Sequence, residues 1–231
     1  MSGTPGTGED RAAERSGRER RSGGGRRYGT EPSRRLFVAV PLPGPIRSQV
    51  GELVAAVRAD VDGDDRTVRW VRIDGLHLTV RFLGATTPER QAAVETAMRS
   101  SASASRPIRI ALGGAGAFPS ATRPRVLWLG LRDGAERLGA LAADLEGRLT
   151  AAGWPPEGRP FAPHLTLARC DGARLGPRTA ATLIARAADL ELDWLADRVT
   201  LFESHVGGGP ARYEPLVEVG LSAAAEGGAE A

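Results

Sequence analysis

The chain carries His77-Leu78-Thr79-Val80, and 87 positions later His164-Leu165-Thr166-Leu167. Only three histidines occur in the 231 residues, and two of them share this context. Read as β-strands, each tetrapeptide places His and Thr on one face and the two aliphatic residues on the other, because side chains alternate with a period of two. Each strand would bury its aliphatic face and present an imidazole beside a hydroxyl. Two such strands meeting across a groove supply two imidazoles and two hydroxyls, a set suited to acid–base chemistry on a phosphate.

Working outward, Arg35-Leu36-Phe37-Val38-Ala39-Val40 reads as a first strand closed by Pro41 and Pro43. Pro45 suits a first helical position, and Ile46, Val50, Leu53, Val54 and Val57 recur at helical spacing as far as about Ala59. The Asp-Gly-Asp-Asp run at 62–65 reads as a loop, and 69–73 as a short alternating segment. The first motif strand is expected over 76–83, and a helix from Thr87-Pro88-Glu89 to Ser100. A strand over 108–112 ends in a glycine-rich turn. The second round has a strand over 125–129, a helix over 134–151 striped by Leu138, Leu141, Leu145 and Leu149, and the motif strand from Phe161. A weaker helix follows Pro177, with strands over 198–206 and 213–219. Both rounds read strand, helix, motif strand, helix, strand, an internal duplication at the level of pattern.

Composition narrows the chemistry. A hydrophobic content of 41% allows a real core. Residues 1–33 are rich in Arg, Gly, Ser and Glu without aliphatic periodicity, so a disordered tail is expected there, and a second flexible tail over 222–231. The folded domain is expected over 34–221, with halves of about 34–115 and 116–221. The chain has no lysine, so all 31 basic residues are arginine, against 28 acidic ones, giving a net charge of +3. Without lysine a Schiff base, a lysyl-nucleotide intermediate and a Walker-type loop are excluded. Cys170 is the only cysteine, which excludes an intrachain disulfide and Cys-rich zinc sites. No signal-like run and no stretch of about 18 apolar residues is found, so a cytoplasmic protein without a membrane span is expected.

The residues Arg35 to Ala39, Leu76 to Val80 continuing to Phe82-Leu83-Gly84, Pro163 to Arg169, and Ser204 through Gly209 to Leu216 together resemble the 2H phosphoesterase superfamily. The resemblance is greatest to its RNA 2′,3′-cyclic phosphodiesterase branch, the 2′-5′ RNA ligases. It implies an α+β fold of two pseudo-symmetric lobes, each an antiparallel sheet backed by helices, with the active-site groove between them. It also implies metal-independent opening of a 2′,3′-cyclic phosphate at an RNA end to a 2′-phosphate. By this resemblance His77 is the proton donor to the leaving 3′ oxygen and His164 the proton acceptor for water. Thr79 and Thr166 would donate to the non-bridging oxygens, where charge develops.

Two imidazoles suffice for such chemistry, since an unperturbed pKa of about 6.5 lets one ring be neutral while the other is protonated. No cofactor or metal is called for. Phe82 and Arg169 stand five residues after their histidines, where the family suggests base stacking and a phosphate contact. Strict alternation instead puts both on the aliphatic side, so each strand must twist, bulge or end before reaching them. The expected partner is RNA with a 2′,3′-cyclic phosphate terminus, and the expected state a monomer. Other readings are a small cyclic nucleotide, a 2′-5′ linked RNA with ATP-independent reverse ligation, or a non-catalytic RNA-end binder. His205 lacks a following threonine and reads as structural, and the Gly207-Gly208-Gly209 run as a turn. Trp128, Trp154 and Trp194 read as packing residues.

Overall fold

In the computed structural model the described residues are 33–61, 67–170, 176–207 and 210–222. The expected tails, apart from Ser33 and Ser222, lie outside them, as do the 62–65 loop and Gly208-Gly209. The strands are β1 (Arg34–Pro41), β2 (Val68–Trp70), β3 (His77–Thr86), β4 (Ile108–Phe118), β5 (Val126–Asp133), β6 (Leu165–Cys170), β7 (Leu192–Ala196), β8 (Arg198–His205) and β9 (Arg212–Gly220). The helices are α1 (Gly44–Asp60), α2 (Pro88–Ser103), α3 (Ala135–Ala151) and α4 (Gly176–Arg186). The fold class is α+β, with every strand pairing antiparallel.

Helix positions follow their sequence signals. Ile46, Val50, Leu53, Val54 and Val57 form the buried stripe of α1, which has proline in its first turn. Thr87 caps α2, its hydroxyl accepting from the Arg90 amide at 3.5 Å. The leucines of the α3 stripe are all buried.

The strands run in the order β7-β4-β5-β6-β3-β1-β8-β9, with β2 pairing on β6. This order divides into two arms that meet only where Leu78 of β3 pairs with Leu165 of β6. One arm is β3-β1-β8-β9, against which α2 and α3 pack; the other is β6-β5-β4-β7, flanked by α1 and α4. The arms exchange strands between the two rounds of the pattern. β4, from the first round, lies beside β5, while β8, from the second, lies beside β1. The leucines at the junction are 1% and 0% exposed. Burying each contributes about 1.5–3 kcal/mol, so the point where the motif strands touch is also a core contact.

Four expectations need correction. The glycine-rich stretch after residue 112 is no turn: β4 runs through it to Phe118 with register shifts against β5. A Cβ at Gly116 would overlap the Trp128 ring, so glycine here makes room for a side chain on the neighbouring strand. Residues 69–73 divide between the short β2 and a single 3-10 turn at Ile73–Gly75. β6 begins at Leu165, four residues later than expected, so His164 stands just ahead of its strand. Finally, β7 is an additional strand, with Leu192, Trp194 and Ala196 buried in alternation.

Candidate active site

Antiparallel register through Leu78 and Leu165 sets His77 against Thr166 and His164 against Thr79. Leu78 and Leu165 turn into the core, while the two histidines and two threonines are half-buried on the other side. Each motif therefore sets its histidine beside the threonine of the other. His77, Thr79 and Thr166 line a groove of about 340 Å³, together with Arg35, Phe37, Phe82, Arg169, Ser204 and Tyr213 among others.

Both imidazoles are held the same way. His77 Nδ1 lies 2.7 Å from the Gly75 carbonyl oxygen, and His164 Nδ1 lies 2.8 Å from that of Ala162, in each case two residues earlier. A carbonyl can only accept, so each Nδ1 carries a proton and donates it. Nε2 is thereby left in both rings as the atom that can take up or release a proton. The backbone supplies both supports, which ties the tautomer to the turn leading into the motif.

The surroundings of the two rings differ. His77 sits in an aromatic nest, with ring centroids 4.7 Å from Phe37, 5.0 Å from Tyr213 and 6.1 Å from Phe202. The Tyr213 ring passes so close to Gly75 that a Cβ there would lie 3.0 Å from it. His164 has Phe118 edge-on at 5.2 Å and Trp128 at 6.5 Å. Trp128 thus touches the site as well as packing, whereas Trp154 and Trp194 are buried as expected.

Burial lowers the pKa of His77, and its bond to the Gly75 carbonyl opposes this only in part. Burial also raises the Tyr213 pKa, with the nearby Arg169 charge acting the other way, so Tyr213 keeps its hydroxyl proton. An NMR titration of the His77 ring in the free protein should accordingly give a midpoint below about 6.5. Inorganic phosphate in the groove should move that midpoint upward, since an anion favours the imidazolium. A free-protein midpoint at or above 6.5 would contradict desolvation as the dominant influence.

A shared irregularity brings Phe82 and Arg169 to the groove. In β3, Val38 pairs with Arg81 and Ala39 with Thr79, so Val80 is an extra residue. In β6, Leu127 pairs with Ala168 and Trp128 with Thr166, so Leu167 is an extra residue. The same β-bulge, three residues after each histidine, buries two consecutive side chains and reverses the alternation beyond them. Phe82 emerges 59% exposed, and Arg169 is exposed too. Both line the groove.

Arg81 was not anticipated. The bulge turns it to the helix side, where it is 7% exposed, ion-pairs with Glu146 of α3 at 2.5 Å and with Glu157, and donates to the Pro155 carbonyl at 2.6 Å. Its counterpart in the second motif is the buried Ala168. His205 lies outside the groove lining. Its Nε2 is 3.1 Å from Glu214 and its Nδ1 3.9 Å from Glu203, a compact His and double-Glu group that sequence reading did not anticipate. Arg34 occupies Glu203 from the other side at 3.4 Å. Among the described residues no helix is long and apolar enough to cross a membrane.

Two His-x-Thr motifs, one opening β3 and the other leading into β6, where the two arms of an α+β fold meet, define a 2H phosphoesterase. The family model of the 2′-5′ RNA ligase superfamily matches residues 43–208, and the chain belongs to that superfamily. Relatives include the RNA 2′,3′-cyclic phosphodiesterase of Aeropyrum pernix, 36% identical over 62% of this chain and 79% of its own. That of Escherichia coli is 30% identical over 81% of this chain and 96% of its own. A third, from Geobacillus stearothermophilus, is 34% identical over 58% of this chain but only 41% of its own length. Among solved structures, E. coli LigT complexed with 3′-AMP superposes with a TM-score of 0.63 at 28% identity, covering 82% of this chain and 99% of its own. A Thermus thermophilus protein gives 0.65 at 28% identity, with 82% and 98% covered.

Proposed function

We propose that the protein hydrolyses 2′,3′-cyclic phosphate ends of RNA to 2′-phosphomonoesters, with His77 as proton donor and His164 as proton acceptor and no metal in the reaction. The observation that carries this reading is the matched pair of Nδ1–carbonyl bonds, which leaves one exchangeable Nε2 on each motif histidine. The cyclic phosphate sits between the rings. His164 Nε2 removes a proton from water as its oxygen attacks phosphorus, and His77 Nε2 gives a proton to the departing 3′ oxygen. The P–O3′ bond breaks as the new P–O bond forms, and the 2′ linkage is retained.

Thr79 and Thr166 donate to the non-bridging oxygens, and Arg169 adds a cation beside them. Phe82 offers an exposed ring for the base of the terminal nucleotide. A depressed pKa makes the His77 imidazolium a stronger acid, suited to a poor leaving group, while the bound phosphodiester supplies the negative charge that keeps it protonated. The relatives named RNA 2′,3′-cyclic phosphodiesterase support the substrate class.

The test is incubation with a short RNA ending in a 2′,3′-cyclic phosphate in excess EDTA, resolving 2′- from 3′-phosphate products. Complete conversion to the 2′-phosphate is expected. A 3′-phosphate product would reverse the placement of the leaving group, and loss of turnover in EDTA would refute metal independence.

A further inference from the structure

Deepening the proposed RNA-end reading, we propose that Arg35 forms a second phosphate subsite in the groove. There it grips the phosphodiester that joins the terminal ribonucleotide to the rest of the strand. Along β1, Leu36, Val38 and Val40 enter the core, while Phe37 faces the groove against His77. Arg35 lies two positions before Phe37, on the same face, and lines the same groove with Phe82, Gly84 and Ser204. At a strand rise of about 3.3 Å per residue its backbone is only about 7 Å beyond that of Phe37. A second register shift, between Leu36 and Phe37, makes Leu83 an extra residue of β3 and leaves Phe82 and Gly84 both exposed on the groove rim. The path from the histidines to Arg35 therefore passes an exposed aromatic ring.

The charges sort by face. Arg34, pointing the other way, is held by Glu203 at 3.4 Å. Among the described residues Arg35 has no carboxylate partner, and neither has Arg169. An uncompensated guanidinium beyond a base-sized ring, in a groove whose centre handles one phosphate, matches a second phosphate one nucleotide unit away. A nucleoside 2′,3′-cyclic phosphate lacks that second phosphate. An RNA end has it, on the 5′ oxygen of the terminal ribose.

Arg35→Ala is compared with wild type on two substrates, adenosine 2′,3′-cyclic phosphate and a trinucleotide RNA ending in the same group. Expected is a fall of about tenfold in kcat/KM on the trinucleotide, in line with a lost hydrogen bond to a charged group, and an unchanged value on the mononucleotide. In parallel, anisotropy measures binding of a trinucleotide with a 3′-phosphate end across salt concentrations. The slope of log affinity against log salt should become shallower by about 0.7, the value for one phosphate of a single strand. Equal losses on both substrates, or an unaltered salt slope, would overturn the assignment. The binding measurement needs no turnover, so failure of the wild type to hydrolyse either substrate would count against the proposed reaction, while anisotropy still decides on Arg35.

Discussion

Replacing His77 by alanine is expected to lower kcat for opening of the cyclic phosphate by about 10²–10⁴-fold while leaving the protein folded. The magnitude is that of one general acid–base group. Folding should survive because the ring is half-buried on the groove side and its hydrogen bond is to the Gly75 carbonyl, which water can reach once the ring is gone. The wild-type profile of kcat/KM against pH should be bell-shaped. One limb should lie below about 6.5, because the free-protein pKa of His77 is depressed by burial. In His77→Ala that limb should vanish. Unaltered turnover in the variant, or an unaltered pair of limbs, would remove His77 from the reaction.

Arg81→Ala should give a large loss of stability for a polar change close to the site, about 3 kcal/mol by chemical denaturation. Removing one member of a buried ion pair strands the other charge. Here two carboxylates lose their partner at once, although Glu146 and Glu157 are 26% and 45% exposed and recover some hydration. The Pro155 carbonyl also loses a donor. Arg81→Met, which keeps most of the stem volume, should recover part of the loss. If alanine costs under about 0.5 kcal/mol, the pairs contribute no more than ordinary surface ones.

The residues on which the candidate site is built were legible because their cues are local. A strand needs only alternation, and the repeated His-x-Thr needs only comparison of the chain with itself. That exposed the two histidines, the two threonines and the stripes of α1 and α3. The bulge was demanded by the positions of Phe82 and Arg169 but could not be located. Val80 beside Arg81, and Leu167 beside Ala168, read equally well as unbroken alternation until the partner strand shows which residue is skipped. Gly113, Gly114 and Gly116 misled because a turn and a close approach use the same letter, and at Gly116 it is the Trp128 ring across the sheet that decides between them. The short β7 carried a signal in the alternation of Leu192, Trp194 and Ala196, too brief to stand out. The aromatic nest was least accessible. Phe37, Phe202 and Tyr213 converge on His77 only once β1, β8 and β9 lie side by side, and that order is set by pairings between distant parts of the chain.

The exchange of β4 and β8 has a consequence for how such a chain can be cut or assembled. A fragment ending after β4 would keep β1 and β3 paired but leave the second edge of β1 open, with β4 lacking the partner it has in β5. Those two open edges can close on each other within one copy or be exchanged between two copies. Held in one chain, the two motif histidines have unlike surroundings, Phe37, Phe202 and Tyr213 around His77 and the edges of Phe118 and Trp128 beside His164.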